Sequence, residues 1–302
     1  MTENTIYSPY ILCADVGGSH ITCGICDLTN NTILEHTWLR ADVNCHGNAE
    51  EILTSWSGAF KAVLESSKLT VAGISIAMPG PFDYDQGTSY ITGLHKYESI
   101  YNVNIRAYLA ETLHISPSLI KFRNDAEATI LGECIAGAGM SYHSVMGITL
   151  GTGFGSAQLR NQIMKDLNLG SVAYRDTIAD DYFSTRWFVK RFNELTGQTV
   201  QNVKELTLLK KTNSEVAVIF YEFGKNLGSF LQTWTELLGP EILVICGNIA
   251  KASDLFLPAL KSRLDTIDIE IAHLGENAPL IGAAALFNNM EKSFTPFNYA
   301  KK

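Results

Sequence analysis

The chain lacks the excess of positive charge, the long apolar runs and the signal segment that are typical of nucleic-acid-binding, membrane and secreted proteins. Its 302 residues include 23 Lys and Arg against 31 Asp and Glu, and a net charge of −8 argues against a nucleic-acid-binding surface. No apolar run approaches the roughly 20 residues of a membrane span, and no basic-plus-apolar signal segment opens the chain. These absences predict a cytoplasmic protein that binds neither nucleic acid nor membrane.

Cysteine is also sparse, and its placement argues against a metal site. The cysteines are scattered among apolar neighbours, as reduced core residues are. Cys23 and Cys26 have the spacing of half a zinc or redox site, but positions three apart in a strand face opposite sides of the sheet. Because no second Cys-x-x-C follows, we expect no structural zinc site.

The composition is typical of a globular protein, and the order of the predicted elements indicates an α/β fold. Hydrophobic residues make up 46% and charged residues 18%, and the length suits two domains. A strand–turn–strand pattern followed by alternating helices and strands occurs twice, near residue 10 and near residue 144. We predict two α/β lobes with a cleft between them: residues 1–122, with a closing helix at about 280–302 packing back on them, and a larger lobe of residues 123–279.

The first strand–turn–strand contains a turn that is poor in side chains. Asp15 is followed by Gly17, Gly18 and Ser19, with β-type residues on both sides. Such glycines let the backbone approach a polyanion and direct N–H groups at it. Asp15 can hold Mg²⁺, directly or through water, since that ion prefers a few carboxylates together with phosphate oxygens. Taken alone, the pattern is equally that of an ordinary hairpin.

A second glycine turn occupies the equivalent place in the second half of the chain. Gly151, Thr152 and Gly153 follow an apolar strand, and a further β-type run comes next. The turn fails the dinucleotide pattern, whose last glycine would stand at Ser156, and it lacks the lysine of a P-loop. It is either the turn of an ordinary β-hairpin or, together with the first turn, half of a phosphate-binding clamp.

Two further positions have both a structural and a functional interpretation. Asp125 lies where a strand gives way to a helix, so it can cap that helix or act as a general base for a hydroxyl that attacks phosphate. Asn124 beside it can bond a neighbouring hydroxyl. Gly247 and Asn248 form either a plain strand-to-helix turn or a place where a planar ring or a phosphate approaches the backbone.

These motifs, with Pro79-Gly80-Pro81 between them, resemble in their order the ROK (repressor, ORF, kinase) family. Its members include bacterial glucokinases and N-acetylhexosamine kinases of the actin-like ATPase (ribonuclease H-like) fold. The resemblance implies ATP and Mg²⁺ as cofactors, a sugar acceptor in the interdomain cleft and, by analogy, a homodimer. It implies these roles: Asp125 as catalytic base; Asp15 facing the metal; Gly17, Gly18, Ser19, Gly151, Thr152 and Gly153 on phosphate; Gly247 and Asn248 near the nucleoside; and Gly80, Asn124, Asp125, Asn168 and Ser171 on the sugar.

The departures from the family pattern fall on the acceptor side. Where the family shows Glu-x-Gly-His, with a Glu and a His that contact sugar hydroxyls, this chain has Asn168-Leu-Gly-Ser171, and the cysteine-rich zinc segment is absent. The resemblance therefore implies phosphorylation of a hexose or modified hexose, with specificity moved away from plain glucose. The alternative is a catalytically weak sugar- or nucleotide-binding sensor of the same fold. With 14 residues before Asp15, we expect no DNA-binding domain.

Overall fold

A computed structural model of the protein describes residues 8–93 and 96–287. The predicted closing helix therefore lies partly outside the described residues, as does His95, a further candidate for contact with the acceptor. The strands are β1 (Tyr10–Val16), β2 (His20–Asp27), β3 (Thr32–Ile33), β4 (Leu39–Asp42), β5 (Gly73–Met78), β6 (Phe82–Asp83), β7 (Thr88–Ser89), β8 (Ile120–Asn124), β9 (Ser144–Leu150), β10 (Phe154–Arg160), β11 (Ile163–Asp166), β12 (Ala173–Tyr174), β13 (Thr177–Ile178), β14 (Ile242–Cys246) and β15 (Asp268–Ile271). The helices are α1 (Ala49–Ser67), α2 (Ile105–Leu113), α3 (Asp125–Ala136), α4 (Ala179–Tyr182), α5 (Thr185–Thr196), α6 (Val203–Leu208), α7 (Glu215–Leu238), α8 (Ser253–Lys261) and α9 (Asn277–Ala284).

The chain divides into two compact units. Unit 1 runs to Ala136 and resumes at Glu276, and unit 2 is Gly137–Gly275. In unit 1 the sheet order is β3-β2-β1-β5-β8, with β4 also paired to β2. Strands β1, β5 and β8 are parallel, and β2 returns antiparallel to β1. The core of this unit joins apolar side chains of these strands to those of α1, including the fully buried Trp56 and Phe60.

Unit 2 repeats the same strand plan. Its sheet order is β11-β10-β9-β14-β15, in which β9, β14 and β15 are parallel and β10 returns antiparallel to β9. The core is rich in aromatic rings from α5, α7 and the segment before them, such as Phe183, Phe188 and Phe223. Each unit therefore holds a glycine turn in the hairpin that opens its sheet.

Local sequence accounts for the elements that frame these sheets. Asn48 and Glu51 form a reciprocal capping box that starts α1, which ends at Lys68 in the left-handed conformation. The long α7 has one buried apolar face and ends at Gly239. Among the helices within the described residues, none is long and apolar enough to cross a bilayer.

The boundary between the units differs from the predicted one at 122–123, because α3 packs on α9. A Cβ atom added to Gly282 would lie 1.8 Å from the carbonyl oxygen of Ala128, and one added to Gly132 would lie 2.0 Å from that of Ala278. The two helix backbones are thus in direct contact, which only small residues permit. This contact assigns α3 to unit 1, although its residues come after the predicted boundary.

Smaller differences from the predicted elements have local causes. The sequence pattern of residues 32–40 predicts one strand, but the structure has β3 and β4 there, with a 3-10 turn at Glu35–Thr37 between them. The pattern of residues 180–195 predicts one helix, but the helix is interrupted at Phe183 and Ser184, whose side chains are buried. Apolar periodicity alone does not detect such interruptions, since the pattern of buried residues continues through them.

Candidate functional site

The predicted acidic residues of unit 1 lie at one edge of its sheet. Asp15 is near the carboxyl end of β1 and pairs in register with Ala77 of β5, while Asn124 ends β8 opposite Met78. Parallel strands end on the same side, and neighbouring strands are about 4.8 Å apart. Asp15 and Asp125 therefore lie along the same carboxyl edge, with only β5 between the strands that lead to them, and this edge is where ligands bind in open α/β sheets.

The electrostatic environment of Asp15 shows the same proximity. Its carboxyl group is partly buried, and burial together with the carboxylates of Asp125 and Glu276 raises its pKa to about 7. The cations of Arg40 and Lys96 act in the opposite direction. Burial and the neighbouring carboxylates thus disfavour the ionised form of Asp15, and a bound cation would favour it.

Asn124 caps the start of α3, a role that the sequence also allowed for Asp125. The Asn124 Oδ1 atom accepts the N–H groups of Ala126 at 2.9 Å and Glu127 at 3.1 Å, which satisfies the first turn of α3. The Asp125 Oδ1 atom accepts the same Ala126 N–H at 2.9 Å. Since Asn124 bonds two N–H groups at the helix start, α3 does not depend on the Asp125 carboxylate for its cap.

The loop after β5 is tied to this edge by one tyrosine. Tyr84 donates its hydroxyl hydrogen to the carbonyl oxygen of Met78 at 3.1 Å and accepts the Asn124 Nδ2 amide at 3.2 Å. Gly80 is in the same loop, where the Gly80–Pro81 peptide bond is cis, and a Cβ added there would lie 3.4 Å from the Tyr84 hydroxyl. The predicted sugar-binding residues Gly80 and Asn124 are thus neighbours through Tyr84.

Two hydrogen bonds fix the first glycine turn at Gly17, and the tip of the turn is exposed. The N–H of Gly17 donates to the carbonyl oxygen of His20 at 2.9 Å, and the Tyr97 hydroxyl donates to the carbonyl oxygen of Gly17 at 2.6 Å. A Cβ added to Gly17 would lie 2.8 Å from the His20 ring and 3.2 Å from the carbonyl oxygen of His20, so a larger residue there would require the His20 ring to move. Gly18 and Ser19 are exposed at the tip of the turn.

Three charged or polar side chains beside this turn were not among the predicted site residues. Arg40, on β4, donates from Nη1 to Glu276 Oε1 at 2.7 Å, and its Nη2 lies 3.3 Å from His20 Nδ1. Burial, and then the Arg40 charge, lower the pKa of His20 below its usual range. Arg40 and Glu276 come from distant parts of the chain and no local motif marks either of them, whereas His20 directly follows the glycine turn in the sequence.

In unit 2 the second glycine turn connects β9 to β10 and is anchored by α5. The N–H of Gly151 donates to the carbonyl oxygen of Gly153 at 3.0 Å, which closes the turn. Thr185 Oγ1 donates to the carbonyl oxygen of Gly151 at 2.9 Å, and Arg186 Nη1 donates to that of Thr152 at 3.3 Å. No described atom outside the local chain comes within 4 Å of a Cβ added to Gly151, so its outer face is open.

Gly247 and Asn248 lie against this second turn. Gly247 follows β14, which pairs with β9, and a Cβ added to it would lie 2.4 Å from the carbonyl oxygen of Leu150. Its φ of +91° is in the region that favours glycine. Asn248 is exposed, and its Oδ1 accepts Lys251 Nζ at 2.8 Å. Two predicted nucleotide-binding turns of unit 2 are therefore adjacent.

Asn168 and Ser171 lie in a turn that packs on β10. A Cβ added to the intervening Gly170 would lie 2.5 Å from the carbonyl oxygen of Phe154, which brings this turn next to the end of the glycine turn. Both side chains are exposed, and Ser171 Oγ donates to Asn168 Oδ1 at 2.9 Å. The replacements for the family's Glu and His thus bond each other.

A divalent cation at this protein would need ligands beyond its own side chains. Residues 8–93 and 96–287 contain no group of three or more His, Cys, Asp or Glu side chains that could hold a metal ion. Mg²⁺ does not require such a group, because it commonly binds one or two carboxylates and takes its other ligands from phosphate and water. The partly buried Asp15, with other carboxylates close by, fits that kind of site.

Comparison with known proteins adds evidence of ancestry. The model of the ROK family matches residues 11–170, which is more than half of the chain. A glucokinase of Streptomyces coelicolor is 22% identical over 317 residues, covering 90% of this chain and 95% of that protein. A xylose repressor of Bacillus subtilis is 19% identical, covering 92% of this chain and 76% of the repressor.

A solved structure shows the same fold. The ROK family glucokinase from Streptomyces griseus, in complex with glucose and AMPPNP, superposes with a TM-score of 0.77 at 18% identity, covering 92% of this chain and 98% of that one. The predicted actin-like ATPase fold is confirmed by this similarity and by the repeated α/β plan.

Proposed function

Since the chain belongs to the ROK family, we propose that it is a sugar kinase that transfers the terminal phosphoryl group of ATP to a hydroxyl of a hexose or modified hexose. The observation that carries the proposal is the placement of Asp15 and Asp125 along the same carboxyl edge of the unit 1 sheet, within electrostatic range of each other. One carboxylate suits a metal ion and the other a hydroxyl proton, and the glycine turn beside them offers N–H groups to phosphate.

In this proposal Asp125 is the general base. The sugar oxygen bonds to the terminal phosphorus, the bond from that phosphorus to the bridging oxygen breaks, ADP leaves, and the hydroxyl proton passes to Asp125. The transition state is loose, so a carboxylate of ordinary basicity suffices if it is well positioned. The backbone bond to Ala126 and the cap made by Asn124 supply that positioning.

The donor side is proposed to use both glycine turns. Gly17, Gly18 and Ser19 of unit 1 and Gly151, Thr152 and Gly153 of unit 2 would bind phosphate oxygens, with Gly247 and Asn248 near the nucleoside. Support comes from the exposed tip at Gly18 and the open face at Gly151. Asp15 would hold Mg²⁺, directly or through water, and the bound ion would neutralise charge on the phosphate oxygens.

The acceptor is proposed to contact Gly80, Asn124, Asn168 and Ser171 as well as Asp125. The hydroxyl-to-amide hydrogen bond between Ser171 and Asn168 leaves a polar surface without the charge of the family's Glu. A changed pattern of partners shifts specificity, because each lost hydroxyl contact costs about 1 kcal/mol. We therefore expect a hexose derivative to be preferred over glucose.

The test is an ADP-release assay with Mg–ATP and a panel of hexoses, N-acetylhexosamines and hexose derivatives, followed by mass spectrometry of the product. Asp125→Asn should lower kcat by on the order of 10²–10⁴-fold, the range for loss of a general base. Asp265→Asn, a matched change of an exposed carboxylate, should leave kcat unchanged. No phosphorylated sugar across the panel with folded protein would refute the proposal.

A binding protein of the same fold is the second candidate. It is favoured by the Asn168–Ser171 pair and by the similarity to a repressor. Calorimetry would then give tight binding of a sugar or ATP without turnover, and Asp125→Asn would leave that binding unchanged. The cytoplasmic location and the homodimer stay predictions, the latter open to analytical ultracentrifugation.

A further inference from the structure

A lysine in the loop after β7 lies over the tip of the first glycine turn. A Cβ built on Gly18 would be 3.9 Å from the Cδ atom of Lys96, which makes the Lys96 side chain the nearest neighbour of that exposed position. The Lys96 charge also acts on the Asp15 carboxylate. A flexible cation therefore lies beside the exposed backbone of the turn and within electrostatic range of the partly buried carboxylate.

The next residue fixes the loop at this place. The Tyr97 hydroxyl donates to the carbonyl oxygen of Gly17 at 2.6 Å, and the Tyr97 N–H donates to that of Cys45 at 2.8 Å. The Tyr97 ring is fully buried and packs edge-to-face on Trp56, with ring centroids 5.4 Å apart. Tyr97 thus binds the loop to the glycine turn and holds the backbone of Lys96 above it.

Two cations approach this edge, and they differ in what else they contact. Arg40 forms an ion pair with Glu276 at 2.7 Å and also contacts His20. Within the part of the chain that the structure describes, Lys96 makes neither a hydrogen bond nor an ion-pair contact. Lys96 is accordingly the cation whose ammonium group a ligand can bind without displacing a protein partner.

We propose that Lys96 binds the terminal phosphoryl group of the nucleotide at the Gly17–Ser19 turn, and that Tyr97 is the residue that positions it. This inference rests on the proposed function. A lysine ammonium is a compact charge with three donors on a flexible stem, well suited to follow phosphoryl oxygens as they move. In the reaction it would stabilise negative charge on the oxygens of the phosphoryl group during transfer, without taking up or releasing a proton.

The first test is a binding measurement that needs no turnover. Calorimetry with Mg–AMPPNP and with Mg–ADP compares ligands that differ in the terminal group. Lys96→Met should weaken AMPPNP binding by roughly 10- to 100-fold, the range for losing one charge-assisted contact, and change ADP binding less than about twofold. Lys61→Met, an exposed lysine on α1, should change neither. Equal weakening for both nucleotides, or for neither, would overturn the inference.

The second test uses kinetics with the best acceptor from the panel. Lys96→Met should lower kcat by roughly 10²- to 10³-fold with little change in the KM for the sugar, and Lys96→Arg should restore part of kcat. Tyr97→Phe should reduce the preference for AMPPNP over ADP while the melting temperature stays within a few degrees of wild type. An unchanged preference in this variant would refute the positioning role.

The outcomes separate this inference from the proposed function. Turnover by wild type with a full AMPPNP preference in Lys96→Met would overturn the role of Lys96 and leave the kinase intact. Nucleotide binding that depends on Lys96, without any sugar phosphorylation, would support the lysine and refute the kinase. Binding of neither nucleotide by folded wild-type protein would refute both.

Discussion

Replacing Gly282 by alanine should destabilise unit 1 through a single methyl group. The added Cβ would lie 1.8 Å from the carbonyl oxygen of Ala128, whereas a carbon and an oxygen in contact need about 3.3 Å. The added methyl group has no rotamer of its own and clashes only with backbone atoms of α3, so no change of side-chain rotamer relieves the clash. Helices α3 and α9 would have to separate by about 1.5 Å, and gaps of that size lose much of the dispersion energy between the packed faces.

The expected loss of stability in Gly282→Ala is the difference between two opposing effects. Overpacking typically costs about 1–3 kcal/mol, occasionally more, and a backbone clash belongs at the upper end. Alanine gains up to about 1 kcal/mol over glycine in a helix. The net change in the free energy of unfolding should be about 2–3 kcal/mol, or roughly 5–10 °C in the melting temperature of a domain this size.

A matched control separates packing from helix propensity. Gly58 lies inside α1 and is exposed, with nothing within 4 Å of an added Cβ, so Gly58→Ala should stabilise by about 0.5–1 kcal/mol. Both variants would be followed by thermal and urea unfolding. Because α3 begins at Asp125, Gly282→Ala should also lower kinase activity at temperatures where it stays folded. Equal melting temperatures for the two variants would refute the helix contact.

Two other predictions test the proposed nucleotide-binding role of Gly247 and the burial of two cysteine thiols. Gly247→Ala adds a Cβ 2.4 Å from the carbonyl oxygen of Leu150 at a φ of +91°, so it should weaken AMPPNP binding by at least about tenfold. Gly239→Ala, at a positive φ with no neighbour, should leave that binding unchanged, and equal effects would contradict the contact. Burial raises the pKa of the Cys23 and Cys134 thiols, so iodoacetamide at pH 8 should modify both in denatured but not in native protein, as peptide mass spectrometry would show.

Part of the site was predictable because it is local. A carboxylate followed by glycines between two β-type runs is a property of a few consecutive residues, and the turns at Gly17 and Gly151 lie where the pattern placed them. Their order along the chain is enough to identify the ROK family, which the match over residues 11–170 confirms. Periodicity likewise predicted the strand–turn–strand pattern and the alternating helices and strands of both units, since backbone preference and burial repeat within each element.

Other features depend on contacts between distant residues. A strand-to-helix junction holds both Asn124 and Asp125, and only the hydrogen bonds of the fold assign the cap to Asn124. The contact of α3 with α9 joins residues more than a hundred positions apart, so a boundary placed from the alternation of elements came too early.

The sequence by itself determined the family, the kind of sheet and the position of the two glycine turns, because each depends on short stretches of the chain. Tertiary structure alone decided which charges surround Asp15. Arg40, Lys96, Asp125 and Glu276 reach it from four separate segments. Coulomb interactions depend on distance through space, and a linear pattern carries no information about that distance until the chain has folded.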